Sequence, residues 1–295
     1  MSSGFRITQQ TLSNRVTSNL QKNLNRMQTL QEQLSSGRQV NRPSDSPANA
    51  VSSLQFRSDM RRTQQLSRNA EDGLGWLGAA DQNLQSMLIS TRRVRELALR
   101  GSNSSNGPNE REAMAVEVDQ LRESLLSLAN AKYQNRPLFA GTADTPTAYS
   151  TLGVYQGDTG EITRTAAPGT AVKVNLNGQE VFGPDATGLF ATLEKVAADL
   201  RTNPSALSAD LGALDASSKL LTDKLAEVGA RFNRVESLRD RATDDLLNLQ
   251  TGLSEVENID LPQAIMELQL QETAYQAALS AASRVIQPSL VDFLR

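Results

Sequence analysis

Four groups of residues invite a catalytic or ligand-binding reading. Gly73-Leu74-Gly75-Trp76-Leu77-Gly78 spells G-x-G-x-x-G, and Glu96 follows at about the twenty-residue distance of a ribose-binding carboxylate. That fingerprint needs a strand before it and a tight turn into a helix. Here helical periodicity runs through both flanks, so the glycines read as points of close helix–helix approach. Asp244, Asp245, Glu255 and Glu257 offer carboxylates, but general acid–base work needs convergent, partly buried groups. Along one long helix they read as a solvated face. Arg61-Arg62 and Arg92-Arg93-Val94-Arg95 lack the interleaved aromatics that stack bases. Asn103-Ser104-Ser105 is a glycosylation acceptor only where such a pathway exists. The chain has no His and no Cys, which removes imidazole and thiolate nucleophiles, the usual zinc sites and every Ser-His-Asp arrangement. No catalytic residue, metal ligand or cofactor is assigned, and the chain is not read as an enzyme.

The elements that would carry any function are long helices. From Leu207 to Val256 an alternation of four and three residues meets apolar side chains at every step but Ser218 and Arg239. Such a repeat keeps one stripe turned to a partner helix. At 1.5 Å per residue the helix would be about 75 Å long, so it needs equally long partners. Its central seam, Leu221, Leu225, Val228, Phe232, Val235, Leu246, Leu249 and Leu253, is the expected bundle core. Residues 12–34 carry a second seam through Val16, Leu20, Met27, Leu30 and Leu34, ended by Gly37 and Pro43. Ser46 and Pro47 have the chemistry to restart a helix. A third seam runs from Leu66 to Ala98 and stops in the Gly101–Pro108 loop; Asn109 and Glu112 have capping-box spacing before the next helix. The last seam joins Leu261, Ile265, Leu268, Tyr275, Leu279, Ala282, Ile286, Leu290 and Phe293.

Between about Arg136 and Gly188 the character turns to short β-type runs rich in Gly, Thr and Pro. Asn177-Gly178 between two of these runs predicts a two-residue hairpin. The fold class is mainly α: a long antiparallel, coiled-coil-like helical bundle built from both halves of the chain, with a small β-rich insertion. Three domains are expected. Residues 1–45 and 258–295 form a terminal helical domain without fixed structure in the free monomer, because one narrow shared seam offsets little ordering entropy. Residues 46–140 and 189–257 form the bundle, and residues 141–188 an insertion with a core of its own.

Aromatics are only 4% of the chain, so Leu and Ala seams are expected to do the packing. Net charge is −3, against nucleic-acid binding by the chain as a whole. Residues 1–62, however, hold nine Lys/Arg against Glu32, Asp45 and Asp59, whereas residues 258–295 are net acidic. The two ends can attract each other. No run approaches the roughly 18 apolar residues of a membrane span, and residues 1–10 lack the apolar core of a cleavable signal peptide.

Arg6-Ile7-Thr8, the first helix and the stretch from Leu34-Ser35-Ser36-Gly37-Arg38 to Asn41-Arg42-Pro43-Ser44-Asp45-Ser46-Pro47-Ala48 resemble the amino-terminal signature of bacterial flagellins. Val256 through Arg295 resembles the carboxy-terminal one. Pro137-Leu138-Phe139-Ala140-Gly141-Thr142 and the ending Ser289-Leu290-Val291-Asp292-Phe293-Leu294-Arg295 lean toward the hook–filament junction branch of that family. Residues 143–188 match nothing specific. The resemblance implies an extracellular structural subunit of the flagellum, exported by the type III pathway without a cleaved signal and assembling through paired terminal helices. Implied partners are hook-associated protein 1 on the hook side, flagellin on the filament side, further copies of itself in a ring and an export chaperone. Flagellin itself, or a type III needle-tip or translocator protein, is the alternative.

Overall fold

The computed structural model describes residues 9–103 and 106–286. Its helices are α1 (Gln9–Ser36), α2 (Pro47–Gly101), α3 (Pro108–Ala129), α4 (Gly178–Phe182), α5 (Leu189–Thr202), α6 (Leu207–Glu257) and α7 (Leu261–Ile286). Two short hairpins join β1 (Lys132–Tyr133) to β2 (Arg136–Pro137) and β3 (Thr163–Ala167) to β4 (Thr170–Lys173), both antiparallel. The chain divides into two compact units, Met1–Arg61 with Leu247–Arg295, and Arg62–Leu246. The division falls inside α2 and α6 rather than at the helix breaks. The first turns of α2 and the last of α6 make their contacts within the terminal unit: Phe56 reaches to where a Gly252 side chain would begin.

The periodicity of α6 is carried into the fold. Leu207, Leu214, Leu221, Val228, Val235 and Ala242 are buried, and the intervening Leu211, Leu225, Phe232, Leu246, Leu249 and Leu253 are half-buried. Ser218 keeps its hydroxyl in the same seam, buried and without a side-chain partner. α2 is one 55-residue helix whose buried face runs through Ala70, Leu77, Leu84, Met87, Val94 and Ala98. Ser46 accepts a weak bond from the Asn49 N–H at its start.

Two local expectations give way to other turn chemistry. The helix after Gly101 begins at Pro108, and Glu110 rather than Glu112 reaches back to the Gly107 N–H, at 2.9 Å. Asn177-Gly178 makes no hairpin: the buried Asn177 accepts from the Gln179 N–H at 3.0 Å and caps α4. The β3–β4 turn is instead Pro168-Gly169, with Gly169 at φ +70°. Gln134 and Asn135, both at positive φ, make the β1–β2 turn.

The insertion contributes to a shared core. Apolar residues from 138–190 join the cluster of α2, α3, α5 and α6. Six of the chain's twelve aromatics fall at Tyr133, Phe139, Tyr149, Tyr155, Phe182 and Phe190. The rings of Phe139, Tyr149, Tyr155, Phe182 and Phe190 touch at centroid distances of 4.9–5.6 Å. A low overall aromatic content concealed this local concentration. Tyr155, its pKa pushed up to about 12 by burial, stays neutral and donates to main-chain carbonyls of Phe139 and Asp158.

The G-x-G-x-x-G run lies inside α2, with no strand before it. A Cβ on Gly73 would sit 3.2 Å from Val174 and 3.7 Å from Val235. One on Gly75 would collide with the Tyr133 hydroxyl. The glycines admit neighbours as expected, but those neighbours include the insertion as well as α6. Gly229, by contrast, faces open space on α6. Gly229→Ala should therefore raise the melting free energy by about 0.5–1 kcal/mol, whereas Gly75→Ala should lower it. Thermal melting of both variants checks the contrast, and equal effects would contradict the assigned packing.

Candidate assembly interface

The terminal unit is built at two breaks in the chain. Gly37 ends α1 in the left-handed region, at φ +69°, where glycine carries no Cβ penalty. The connector that follows meets the α6–α7 break as an antiparallel bridge between Arg38 and Asn258. The Gln39 N–H donates to the Glu257 carbonyl at 2.8 Å, and the Ile259 N–H to the Gly37 carbonyl at 3.1 Å. Local bonds fix each side. Asp45 accepts from the Asn41 and Arg42 N–H groups, Gln33 donates to the Gln39 carbonyl, and Asp260 caps the start of α7 through the Gln263 N–H.

Glu257 fastens the two sides together. Its side chain is only 9% exposed and lies 2.7 Å from Arg57 and 3.1 Å from Arg38. Arg57 Nη2 donates to both carboxylate oxygens, at 2.7 and 2.9 Å. The expected solvated face holds Glu257 together with Asp244, Asp245 and Glu255. Those three are exposed, and Glu257 is not. Its position in the last turn before a helix break, with a basic excess at the opposite end of the chain, was the available signal.

Beyond this clasp, α1 and α7 run antiparallel. Val16, Leu20, Asn23, Met27, Leu30 and Leu34 are half-buried at the spacing read from the sequence. On α7 the inward stripe is Ala264, Leu268, Gln271, Tyr275, Ala278 and Ala282, of which Ala264 and Ala282 are buried. Gln271 donates to the Asn23 carbonyl at 3.4 Å. Leu268, Tyr275 and Ala282 thus share a stripe, while Leu261, Ile265 and Leu279 stand on its exposed flank. Met266 and Leu270, 64% and 71% exposed, occupy the back. Alanines share the inward stripe with Leu268 and Tyr275, and the remaining large apolar side chains are turned outward. The side chain of Ile286, and Leu290 and Phe293 altogether, lie outside the described residues.

This arrangement can bind helices; it does not converge on a reaction centre. Among the described residues no group of three or more His, Cys, Asp or Glu side chains is placed to hold a metal ion, and no helix is long and apolar enough to cross a membrane.

The sequence matches two halves of one family: the bacterial flagellin N-terminal helical region over residues 7–144, and the bacterial flagellin C-terminal helical region over residues 211–294. The chain belongs to the bacterial flagellin family. It is 28% identical over 273 residues to a flagellin of Halalkalibacterium halodurans, covering 91% of this chain and 92% of the relative. It is 26% identical over 276 residues to flagellar hook-associated protein 3 of Escherichia coli, covering 85% and 87%. Among solved structures, a putative flagellar hook-associated protein from Vibrio parahaemolyticus shares the fold with a TM-score of 0.67 at 20% identity, over 72% of this chain and all of that one. FlgL of Bacillus cereus does so with a TM-score of 0.60 at 22% identity, over 68% and 99%.

Removing one partner of a buried ion pair strands the other charge, at about 3–5 kcal/mol in a closed site and less where, as at Arg38 and Arg57, the partner is half exposed. Glu257→Ala should speed hydrogen exchange at Gln39 and Ile259, whose amides bond across the breaks. Glu255→Ala, two residues away and exposed, should not. Equal exchange in the two variants would show that Glu257 does not close the clasp.

Proposed function

We propose that this chain is the structural subunit joining hook to filament in the bacterial flagellum, with no catalytic role. The carrying observation is the double-faced α7. One stripe is spent on α1, and a second apolar surface, Leu261, Ile265, Met266, Leu270 and Leu279, is uncovered. Uncovered apolar surface of that kind marks a place for another chain. Such a surface suits a subunit of a polymer, and the kinship with hook-associated protein 3 over most of both chains supports the junction position. On this reading hook-associated protein 1 lies on one side, flagellin on the other and further copies alongside in a ring. A type III export chaperone holds the chain before assembly, and export needs no cleaved signal. The proposed assembly surface is that uncovered face, Leu261, Ile265, Met266, Leu270 and Leu279; Val16, Leu20, Met27, Leu30, Leu34, Leu268, Tyr275 and Ala282 form the seam that pairs the terminal helices, and Ile286, Leu290 and Phe293 belong to the same proposed assembly set by sequence. The terminal pair, closed over one narrow seam, gains its full order only in the assembly.

A filament subunit is the second reading, favoured by the flagellin of Halalkalibacterium halodurans at 28% identity. Deleting the gene separates the two: hooks without filaments and flagellin lost to the medium support the junction, and purified protein that grows long filaments alone supports flagellin.

A paired substitution tests the use of α7. Leu279 is 44% exposed, so Leu279→Asp should leave the monomer's melting nearly unchanged while abolishing filament attachment, because a carboxylate closed into an assembly costs several kcal/mol, on the order of 3 or more, in every subunit. Phe232→Asp should melt the bundle itself. If Leu279→Asp melts the monomer as badly, α7 belongs to the folded core and not to an assembly surface.

A further inference from the structure

The elbow between α5 and α6 carries a group that assembly does not use. α5 ends at Thr202, a single 3-10 turn at Pro204–Ala206 follows, and α6 starts at Leu207. Leu200 and Leu207 are fully buried on either side, in contact distance of the Gly101 position on α2. Beside them lie two aspartates, Asp199 on α5 and Asp210 in the first turn of α6. The Asp210 side chain is 1% exposed and that of Asp199 14%. Lys195 approaches Asp210 Oδ1 at 2.7 Å but stands 4.0 Å from Asp199 Oδ2. The second oxygen of each aspartate, Oδ2, is buried and receives no hydrogen bond from an N–H or O–H of the protein.

One ammonium cannot neutralise two buried carboxylates, and two like charges in one site cannot both persist cheaply. A proton on one of them removes the excess charge and supplies the missing donor. We propose that Asp199 holds a proton, donates it to Asp210, and so forms a latch that holds the elbow closed and loosens as pH rises beyond the ordinary aspartate range.

Asp199 is the member whose affinity for the proton is raised, first by burial and then by Asp210, with Lys195 opposing. The folded chain therefore holds this proton more tightly than the unfolded chain does. The stability it contributes is complete below the ordinary aspartate range and is lost as pH rises through the raised folded value. Asp158, Asp215 and Glu227 are shifted down and act with the opposite sign in the acid range. Asp210 from α6 and Lys195 from α5 itself are the charged groups acting on Asp199. The neighbouring Arg201 is engaged by Glu112 and Asp119 of α3, and Asp215 by Arg95 of α2.

The test follows melting temperature against pH for the full chain, Asp199→Asn and Lys195→Met. An asparagine amide donates to Asp210 at every pH, so the wild type should lose melting temperature relative to Asp199→Asn as pH rises above the ordinary aspartate range. Lys195→Met removes the opposing cation and should move that loss to higher pH. Parallel curves for wild type and Asp199→Asn, or a loss that ignores Lys195, would overturn the proposal. Carboxyl carbon chemical shifts of the wild type give a reading that needs no variant. Asp199 should keep its proton above the usual range, and its titration within that range would refute the proposal.

Discussion

A helix of 51 residues has no means of covering its own apolar stripe, and the rest of this molecule answers to that constraint. α6 presents a buried side chain every seventh residue from Leu207 to Ala242 and a half-buried one between each pair. Every such position must meet a side chain from elsewhere in the chain. α2 supplies length, α3 and α5 supply a closely paired second layer, and the insertion supplies Val174 where α2 has only Gly73. The small residues of α2 and the large ones opposite are therefore one arrangement. Where α2 recedes, something else must advance.

The terminal unit meets the same requirement differently. Its helices close over alanines and half-buried residues, too narrow a contact to fix two chain breaks at a set angle. Direction comes from polar groups: two main-chain bonds between the breaks, and a carboxylate held by two arginines. Charge here gives geometry more than stability, because the arginines remain half exposed and such pairs are worth little in water. An apolar seam fixes which faces meet and tolerates sliding by a heptad. The Glu257 clasp tolerates none.

What the residues disclosed beforehand divides along physical lines. The α6 seam was legible because Leu, Val and Phe recur over seven heptads with only Ser218 and Arg239 breaking the apolar series, and α1 because its polar faces leave one stripe. α7 was legible only in part, since Ala, Leu, Ile and Met are spread around much of the helix: the spacing finds Leu268, Tyr275 and Ala282 on the inward stripe but also takes in Leu261, Ile265 and Leu279 from its exposed flank, and misses Ala264 and Ala278. Turn signals failed where tertiary bonds compete with local ones. Asn177-Gly178 is a strong hairpin dipeptide, yet a buried Asn177 amide donating to the Asp158 carbonyl is worth more than a turn preference. Glu257 was hidden because an acidic residue on a helix is ordinarily solvated, and only the fold reveals two arginines 200 or more residues away in sequence.

That separation has its own consequence. Arg38 and Arg57 precede almost the whole chain, and Glu257 follows all of the larger unit. A polypeptide cut short anywhere before the last turn of α6 leaves both arginines without their carboxylate and the first connector without its main-chain partners. The clasp therefore forms only once the chain runs through the α6–α7 break. A fragment that stops short of it, whatever helix it retains, has nothing to fix the angle between α1 and the connector that follows.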